Sequence, residues 1–357
     1  MTRRPDASAR PLLIGGMHRS GTSLTASLVA SGGIDLGPEL LGANAWNAAG
    51  HFEDLGILEF HRRALVAGGI CAEGYTATGR GDVPAALKPQ ADELLAERMR
   101  PGVAWGWKEP RTTLFLDFWQ QRLPQARHLF VFRRPWEVAD SLFRRGDPTF
   151  LDNPMFAFDV WTHYNRTIID FMRRHPDQCM LCDIAQVIAD PQRVVADVRT
   201  RLDVAVGRPA ARYRTGMLAR DVGFTRAAIV RTVAPQAWQT YVDLCALAGV
   251  SDEFVTLASG EASLGECIVL EWARASRAEA ETEAAPETGA SGLVEQPQAG
   301  SPRPPLLAAV QRASTKLLKR LAAVSRRIAP SDQAVVDPPD VLAFPTPIQT
   351  PSARRAA

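Results

Sequence analysis

The stretch Gly16-Met17-His18-Arg19-Ser20-Gly21-Thr22-Ser23 holds the residue types that grip an anion through the backbone. Glycines let the chain turn so that successive N–H groups converge, and a helix beginning after the turn adds its positive end. The spacing G-x-x-x-x-G is that of a nucleotide triphosphatase phosphate loop, in which Lys and then Ser or Thr follow. Here Thr22 stands at the lysine position, and the basic residue lies three places earlier, at Arg19. A phosphate-loop lysine reaches the β- and γ-phosphates, and the next hydroxyl holds Mg²⁺. Without that lysine, kinase or triphosphatase chemistry loses its main cation. An arginine inside the turn suits a shorter anion held close to the loop. The bland alternative is an ordinary glycine turn with a surface arginine. The run of Arg, Ser, Gly, Thr and Ser in this context argues against it.

Such a loop works at a strand-to-helix junction, and the flanking sequence supplies one. Leu12 to Ile14 is a short apolar run ending in Gly15-Gly16, the pattern of a buried strand. Leu24, Leu28 and Val29 then fall at helical spacing over Thr22 to Ala30. Beyond a polar, glycine-rich loop to about Asp54, the spacing predicts a helix over Leu55 to Val66. It predicts a strand over Trp105 to Trp107, ended by Lys108-Glu109-Pro110-Arg111, and a helix over Leu114 to Arg122. His128 to Phe132 reads as a buried strand. It leads through Arg133-Arg134-Pro135 into a helix over Trp136 to Arg145, with proline near the start. A long helix over Asp159 to Arg174, a strand over Met180 to Ile184 and a helix from Pro191 follow. This alternation predicts an α/β fold, a P-loop-like parallel sheet flanked by helices on both faces.

Composition narrows the partners. The chain has 357 residues, 46% apolar and 22% charged, with a net charge of +2, so global charge offers nothing to nucleic acid. Cys71, Cys179, Cys182, Cys245 and Cys267 are irregularly spaced. Cys179-x-x-Cys182 lacks a second pair, so it reads as strand interior, and reduced thiols fit a cytoplasmic protein. No signal core precedes Pro11, and no apolar run is long enough to span a bilayer. No cluster of metal-ligand type occurs, so no metal is expected. Trp46, Trp105, Trp107, Trp119, Trp136 and Trp161 could wall a sugar or adenine site, but core is the simpler reading for most of them. Trp136, just after Arg133, is the one placed for a nucleotide.

At these residues the chain resembles the PAPS-dependent sulfotransferase family, whose donor is 3′-phosphoadenosine 5′-phosphosulfate (PAPS). The family's 5′-phosphosulfate loop is a basic residue followed by S-G-T-S/T, matched by Arg19, Ser20, Gly21, Thr22 and Ser23. Its second motif places an Arg at a strand end and a Ser eight residues on, holding the 3′-phosphate. Arg133 and Ser141 match it, with Arg134 the alternative if the register slips by one. The context V-F-R-R-P-W-E-V-A-D-S looks like bacterial members. The resemblance covers residues 11 to about 205 and implies sulfuryl transfer to an acceptor hydroxyl, with 3′-phosphoadenosine 5′-phosphate as product and no metal.

The resemblance also nominates catalytic groups. Arg19 would stabilise the leaving bridge oxygen. Lys108 stands where cytosolic members carry a lysine, able to touch the sulfuryl oxygens. Two residues on, their histidine base is replaced here by Pro110. The segment Asn47-Ala48-Ala49-Gly50-His51-Phe52-Glu53 is similar to an N-x-x-G-x-x-E stretch that supplies a glutamate base in bacterial and carbohydrate sulfotransferases. Glu53 is therefore the first choice of base and His51 the second. Structural alternatives stand beside these roles: Lys108 or Arg111 pairing with Glu109 or Asp117, and Glu53 capping the helix that begins near Leu55.

The expected organisation is a disordered lead over 1–10, the sulfotransferase domain over 11–273, a flexible linker over 274–304, a basic amphipathic helix over 305–329 and a disordered tail over 330–357. From Arg303 to Arg327 there are seven basic residues and no acid, with an apolar stripe from Leu306 to Ile328. Such a helix suits peripheral contact with an anionic membrane at its inner face, or docking on the catalytic domain or on another copy. A membrane contact would suit a lipid or lipid-linked sugar as acceptor. Two other functions are weighed: a nucleotide kinase or other phosphotransferase, which needs the missing lysine, and a non-catalytic nucleotide-binding scaffold, favoured if no competent base lies near Arg19.

Overall fold

The computed structural model of the chain describes residues 10–42, 50–210 and 224–255. The lead over 1–9, Trp46, Asn47, Cys267, the linker, the basic helix and the tail lie outside them. Four parallel strands form the sheet: β1 (Leu12–Gly15), β2 (Gly106–Lys108), β3 (Arg127–Phe132) and β4 (Cys179–Asp183), in the order β2-β1-β3-β4. Parallel pairing demands a crossover between neighbours, and the helices supply it. They are α1 (Thr22–Ser31), α2 (Leu55–Ala67), α3 (Lys88–Arg98), α4 (Leu116–Arg122), α5 (Pro135–Arg145), α6 (Pro148–Asp152), α7 (Pro154–Arg174), α8 (Ile184–Ala189), α9 (Pro191–Arg201), α10 (Phe224–Val233) and α11 (Pro235–Ala248).

Alternation along each strand divides the core between the two faces. Leu13, Trp107, Phe130, Phe132 and Leu181 enter one apolar cluster with α2, α4, α5, α7 and α11. Leu12, Ile14, Leu129, Val131, Met180 and Cys182 enter the other, with α1, α8 and α9. Cys179 and Cys182 are interior residues of β4 with free thiols, and burial pushes each up to about 12. Trp105, Trp107, Trp119, Trp136 and Trp161 are all buried in the first cluster.

Two differences from the sequence expectation matter for the site. The long helix starts at Pro154, five residues before Asp159, because proline at its first turn has no N–H to satisfy and Ala157 already packs inward. And α3 has no counterpart in the apolar pattern. Its sequence KPQADELLAER buries only Ala91, Leu94, Leu95 and Arg98. Arg98 is the reason it matters. Its Nε donates to Asp54 Oδ2 at 2.7 Å, deep in the protein, while Asp54 Oδ1 accepts from Ile57 N and caps α2. Asp54, not Glu53, is therefore the cap of α2. The carboxylate of Glu53 is left for other work.

Candidate active site

The loop after β1 is pinned from three sides. The Gly16 N–H donates to Thr113 Oγ1 at 3.1 Å, and a Cβ on Gly16 would come within 2.4 Å of the Val131 carbonyl on β3. A Cβ on Gly21 would meet Ile184 at 2.2 Å. Arg19 (φ 68) and Gly21 (φ 91) both adopt left-handed backbone around Ser20. A non-glycine residue held there is strained, and alternation of this kind curls N–H groups toward one point. α1 opens directly after Gly21 without a side-chain cap, so its positive end faces the same point.

Arg19 and the start of α5 meet at this loop. Arg19 Nε donates to Ser141 Oγ at 2.9 Å. Arg133 leaves the end of β3, its carbonyl held by Trp161 Nε1 at 3.1 Å, and its guanidinium reaches the Arg19 carbonyl at 3.5 Å. Arg133 Nε also donates to Glu137 at 2.7 Å. Arg134 reaches Asp252, the Phe254 ring and Glu137 Oε1 at 3.3 Å, so both arginines meet one carboxylate, and of the two Arg133 also reaches the loop.

On the other side stands Lys108, 1% exposed at the end of β2. Its ammonium donates to Glu53 Oε1 at 2.6 Å, His51 O at 3.1 Å and Ser23 Oγ at 3.2 Å. A buried ammonium needs such satisfaction, and it ties the loop bearing His51 and Glu53 to the first turn of α1. Lys108 therefore pairs with Glu53 rather than with Glu109 or Asp117. Arg111 does pair with Glu109, at 2.5 Å. Glu109 also bonds His61 Nδ1 at 2.6 Å, whose Nε2 accepts from Trp119. Burial pushes the Glu109 carboxyl up, but Arg111 and His61 outweigh it and hold it at about 2. Arg111 Nε reaches the Ala72 carbonyl at 2.8 Å and so anchors the loop that carries Tyr75.

Every residue expected at the site from sequence either belongs to the loop or is joined to it through these bonds: Arg19, Ser20, Gly21, Thr22 and Ser23, then Ser141, Arg133, Lys108, Glu53 and His51. Ser20 Oγ, His18 Nε2 and His51 Nε2 are buried without a hydrogen-bond partner among the described residues. A polar ligand at the loop would have these atoms to bond. The charge balance has the same sense. Burial, then Arg145 and Arg133, hold the Arg19 guanidinium below its usual range. Burial, with Lys108, Arg19 and Arg145, lowers His51 against the opposing Glu53 carboxylate. Arg19, Arg133, Lys108 and Arg145 thus gather around the loop, with Glu53 and Glu137 as the facing carboxylates.

Two residues here were missed in the sequence. Arg145 lies one helical turn past Ser141 on the same face of α5, and that spacing was a readable signal. It has no hydrogen-bond or ion-pair partner among the described residues, yet its charge is felt at His18, Arg19, His51 and Tyr75. His18 adjoins Arg19 in the chain. Among the described residues no group of three or more His, Cys, Asp or Glu side chains is placed to hold a metal ion. None of the described helices is long and apolar enough to cross a membrane.

Comparison with known proteins places the chain in a family. The chain is similar to a solved sulfotransferase from Alicyclobacillus acidocaldarius, at 18% identity and TM-score 0.41, over 68% of this chain and 97% of that one. The sulfotransferase domain of a Synechococcus PCC 7002 olefin synthase gives 18% and 0.38, over 70% and 95%. The sulfotransferase domain from the curacin biosynthetic pathway gives 19% and 0.38, over 57% and 75%. None of the curated proteins compared with the chain matches it. The family model described as the sulfotransferase family matches residues 11–207, more than half of the 357, and on that match the chain belongs to the sulfotransferase family of transferases.

Proposed function

We propose that the sulfuryl donor is PAPS and that the acceptor is a hydroxyl of a carbohydrate, glycolipid or small metabolite. One observation carries the donor reading. Arg19 of the loop touches Ser141 and Arg133 of the second motif, so two anion subsites lie side by side. A donor with a phosphosulfate at one end and a 3′-phosphate at the other has two anionic groups to fill them. Backbone N–H groups of residues 20–23 and Arg19 would receive the phosphosulfate. Arg133 and Ser141 would hold the 3′-phosphate, with Arg145 adding charge beyond them.

In this reading the acceptor oxygen forms a bond to sulfur as the bond from sulfur to the phosphate bridge oxygen breaks. Arg19 takes up the charge that grows on the bridge oxygen, and Lys108 the charge on the sulfuryl oxygens. Glu53, oriented by Lys108, receives the hydroxyl proton, with His51 beside it as the second candidate. 3′-Phosphoadenosine 5′-phosphate leaves. A location in the cytoplasm, with the basic segment 305–329 touching the inner face of the membrane, fits a lipid-linked acceptor.

The test incubates the purified protein with PAPS carrying radioactive sulfur and with glycan and lipid extracts. Label should pass to an extract component, and Arg19→Ala should abolish the transfer. Robust Mg²⁺-dependent ATP hydrolysis by the wild type, without sulfuryl transfer, would favour a phosphotransferase instead.

A further inference from the structure

We propose that His18 is an additional anion ligand of the loop. In the bound state its Nε2 donates to an oxygen of the incoming phosphosulfate, and the imidazole takes up a proton as that anion enters. This rests on the reading of the loop as the donor site.

The geometry comes first. His18 is the residue before Arg19 in a loop whose backbone is fixed by Thr113, Val131 and Ile184. Its ring is wedged edge-on between Tyr75, at 5.6 Å between centroids, and Tyr164, at 6.2 Å. The residue is half-buried, and its Nε2 is buried without a partner among the described residues. The imidazole makes no hydrogen bond among the described residues. His61 satisfies both ring nitrogens through Glu109 and Trp119, and His128 on β3 bonds Gln120 through Nε2 although its Nδ1 has no partner, whereas His18 makes no ring hydrogen bond at all among the described residues.

The charges around it explain why the ligand must arrive first. The ionisable groups that face His18 are Lys108 and Glu109 from the end of β2, Arg111 from the turn after it, and Arg145 from α5. Tyr75 and Tyr164 flank the ring, and burial raises both phenols, so they stay neutral across the range in which a histidine titrates. Three cations confront one carboxylate that Arg111 and His61 already engage. Burial above all, then Arg111, holds the imidazole well below the ordinary histidine range. An empty site therefore keeps His18 neutral. A phosphosulfate in the loop brings negative charge into the same space and reverses the field. With its protonated form favoured only in the complex, His18 should bind the anion more tightly at low pH. That advantage disappears as pH rises through the value that His18 has in the complex.

The test needs no acceptor. Binding of inorganic pyrophosphate and of 3′-phosphoadenosine 5′-phosphate to the full chain is measured by calorimetry between about pH 5.5 and 8, in buffers of differing ionisation heat. Proton uptake is expected with both anions, with affinity falling by up to about tenfold per pH unit. His18→Gln should remove the uptake and flatten the dependence, whereas His163→Gln, whose ring bonds the Gly79 carbonyl outside the site, should keep both. Ring-nitrogen NMR of the wild type should show the His18 resonances pass from neutral to imidazolium when pyrophosphate is added, which covers a His18→Gln protein that fails to fold. Wild-type binding without uptake overturns the inference, as does uptake unchanged in His18→Gln or lost equally in His163→Gln. If pyrophosphate binds with His18-dependent uptake but the nucleotide does not bind, the donor reading fails and His18 stands. If neither anion binds, both fall.

Discussion

Arg19 Nε lies 2.9 Å from Ser141 Oγ, a hydrogen bond between residues 122 apart in the chain. The arginine of the first motif thus rests on the serine of the second. Ser141 accepts from Arg19 and keeps its own O–H to donate, and Arg133 meets Glu137 through Nε, so a 3′-phosphate could be bound without breaking either contact.

Arg133→Ala and Ser141→Ala should accordingly weaken binding of 3′-phosphoadenosine 5′-phosphate far more than binding of adenosine 5′-phosphate, which lacks the 3′-phosphate. A charge-assisted hydrogen bond is worth about 1.5–3 kcal/mol, or roughly ten- to a hundredfold in affinity. Calorimetry with both nucleotides checks this. Equal losses for the two would remove Arg133 and Ser141 from the 3′-phosphate subsite.

Arg98→Ala should destabilise the fold by about 3–5 kcal/mol, because it leaves the Asp54 carboxylate buried without its cation. Urea unfolding measures the loss. The same substitution should lower turnover, since Asp54 starts α2 directly after Glu53. A variant as stable as the wild type would show that Asp54 finds another partner.

The elements around the loop were legible because they are punctuated. Glycines bracket the anion turn, and Pro135 opens α5, so the strand–loop–helix junctions at Gly16 and Arg133 could be read from residue types alone. α3 was not legible, because its buried face is narrow and ends in an arginine whose reason for burial is Asp54, far away in sequence. The roles of Glu53 and Asp54 were ambiguous for a related cause. Two adjacent acids before a helix both suit a cap, and only the fold shows which one Arg98 claims. His18 stands out by its lack of a partner among the described residues, a property that sequence does not encode, whereas Arg145 was readable from its spacing to Ser141.

Removal of residues 303–357 should leave transfer by the soluble protein nearly intact and reduce binding to vesicles containing phosphatidylserine. Seven basic residues and no acid lie between Arg303 and Arg327, and each near an anionic surface contributes about 1 kcal/mol. Co-sedimentation at low and high salt measures the effect. Unchanged vesicle binding would refute a membrane role for this segment, and an insoluble truncated protein would assign it to the core instead.

Glu53→Gln should lower kcat by roughly 10²–10⁴, the usual worth of a general base, with little change in donor affinity. Pro110 stands where cytosolic relatives carry their histidine, so the proton must go elsewhere. Glu53 is 6% exposed, and Oε1 is held by Lys108 at 2.6 Å, while the same ammonium contacts Ser23 of the anion loop. This pairing holds the carboxylate close to the anion loop. Glutamine keeps the shape and can still accept from Lys108, but it removes the charge that pairs the buried ammonium along with the proton acceptor, so urea unfolding is measured beside kcat. His51→Ala is the paired measurement, because its backbone carbonyl, which Lys108 uses, survives the substitution while its unpartnered Nε2 is lost. Normal turnover in Glu53→Gln with a dead His51→Ala would exchange the two roles. Full activity in both would mean that the acceptor gives up its proton without either group.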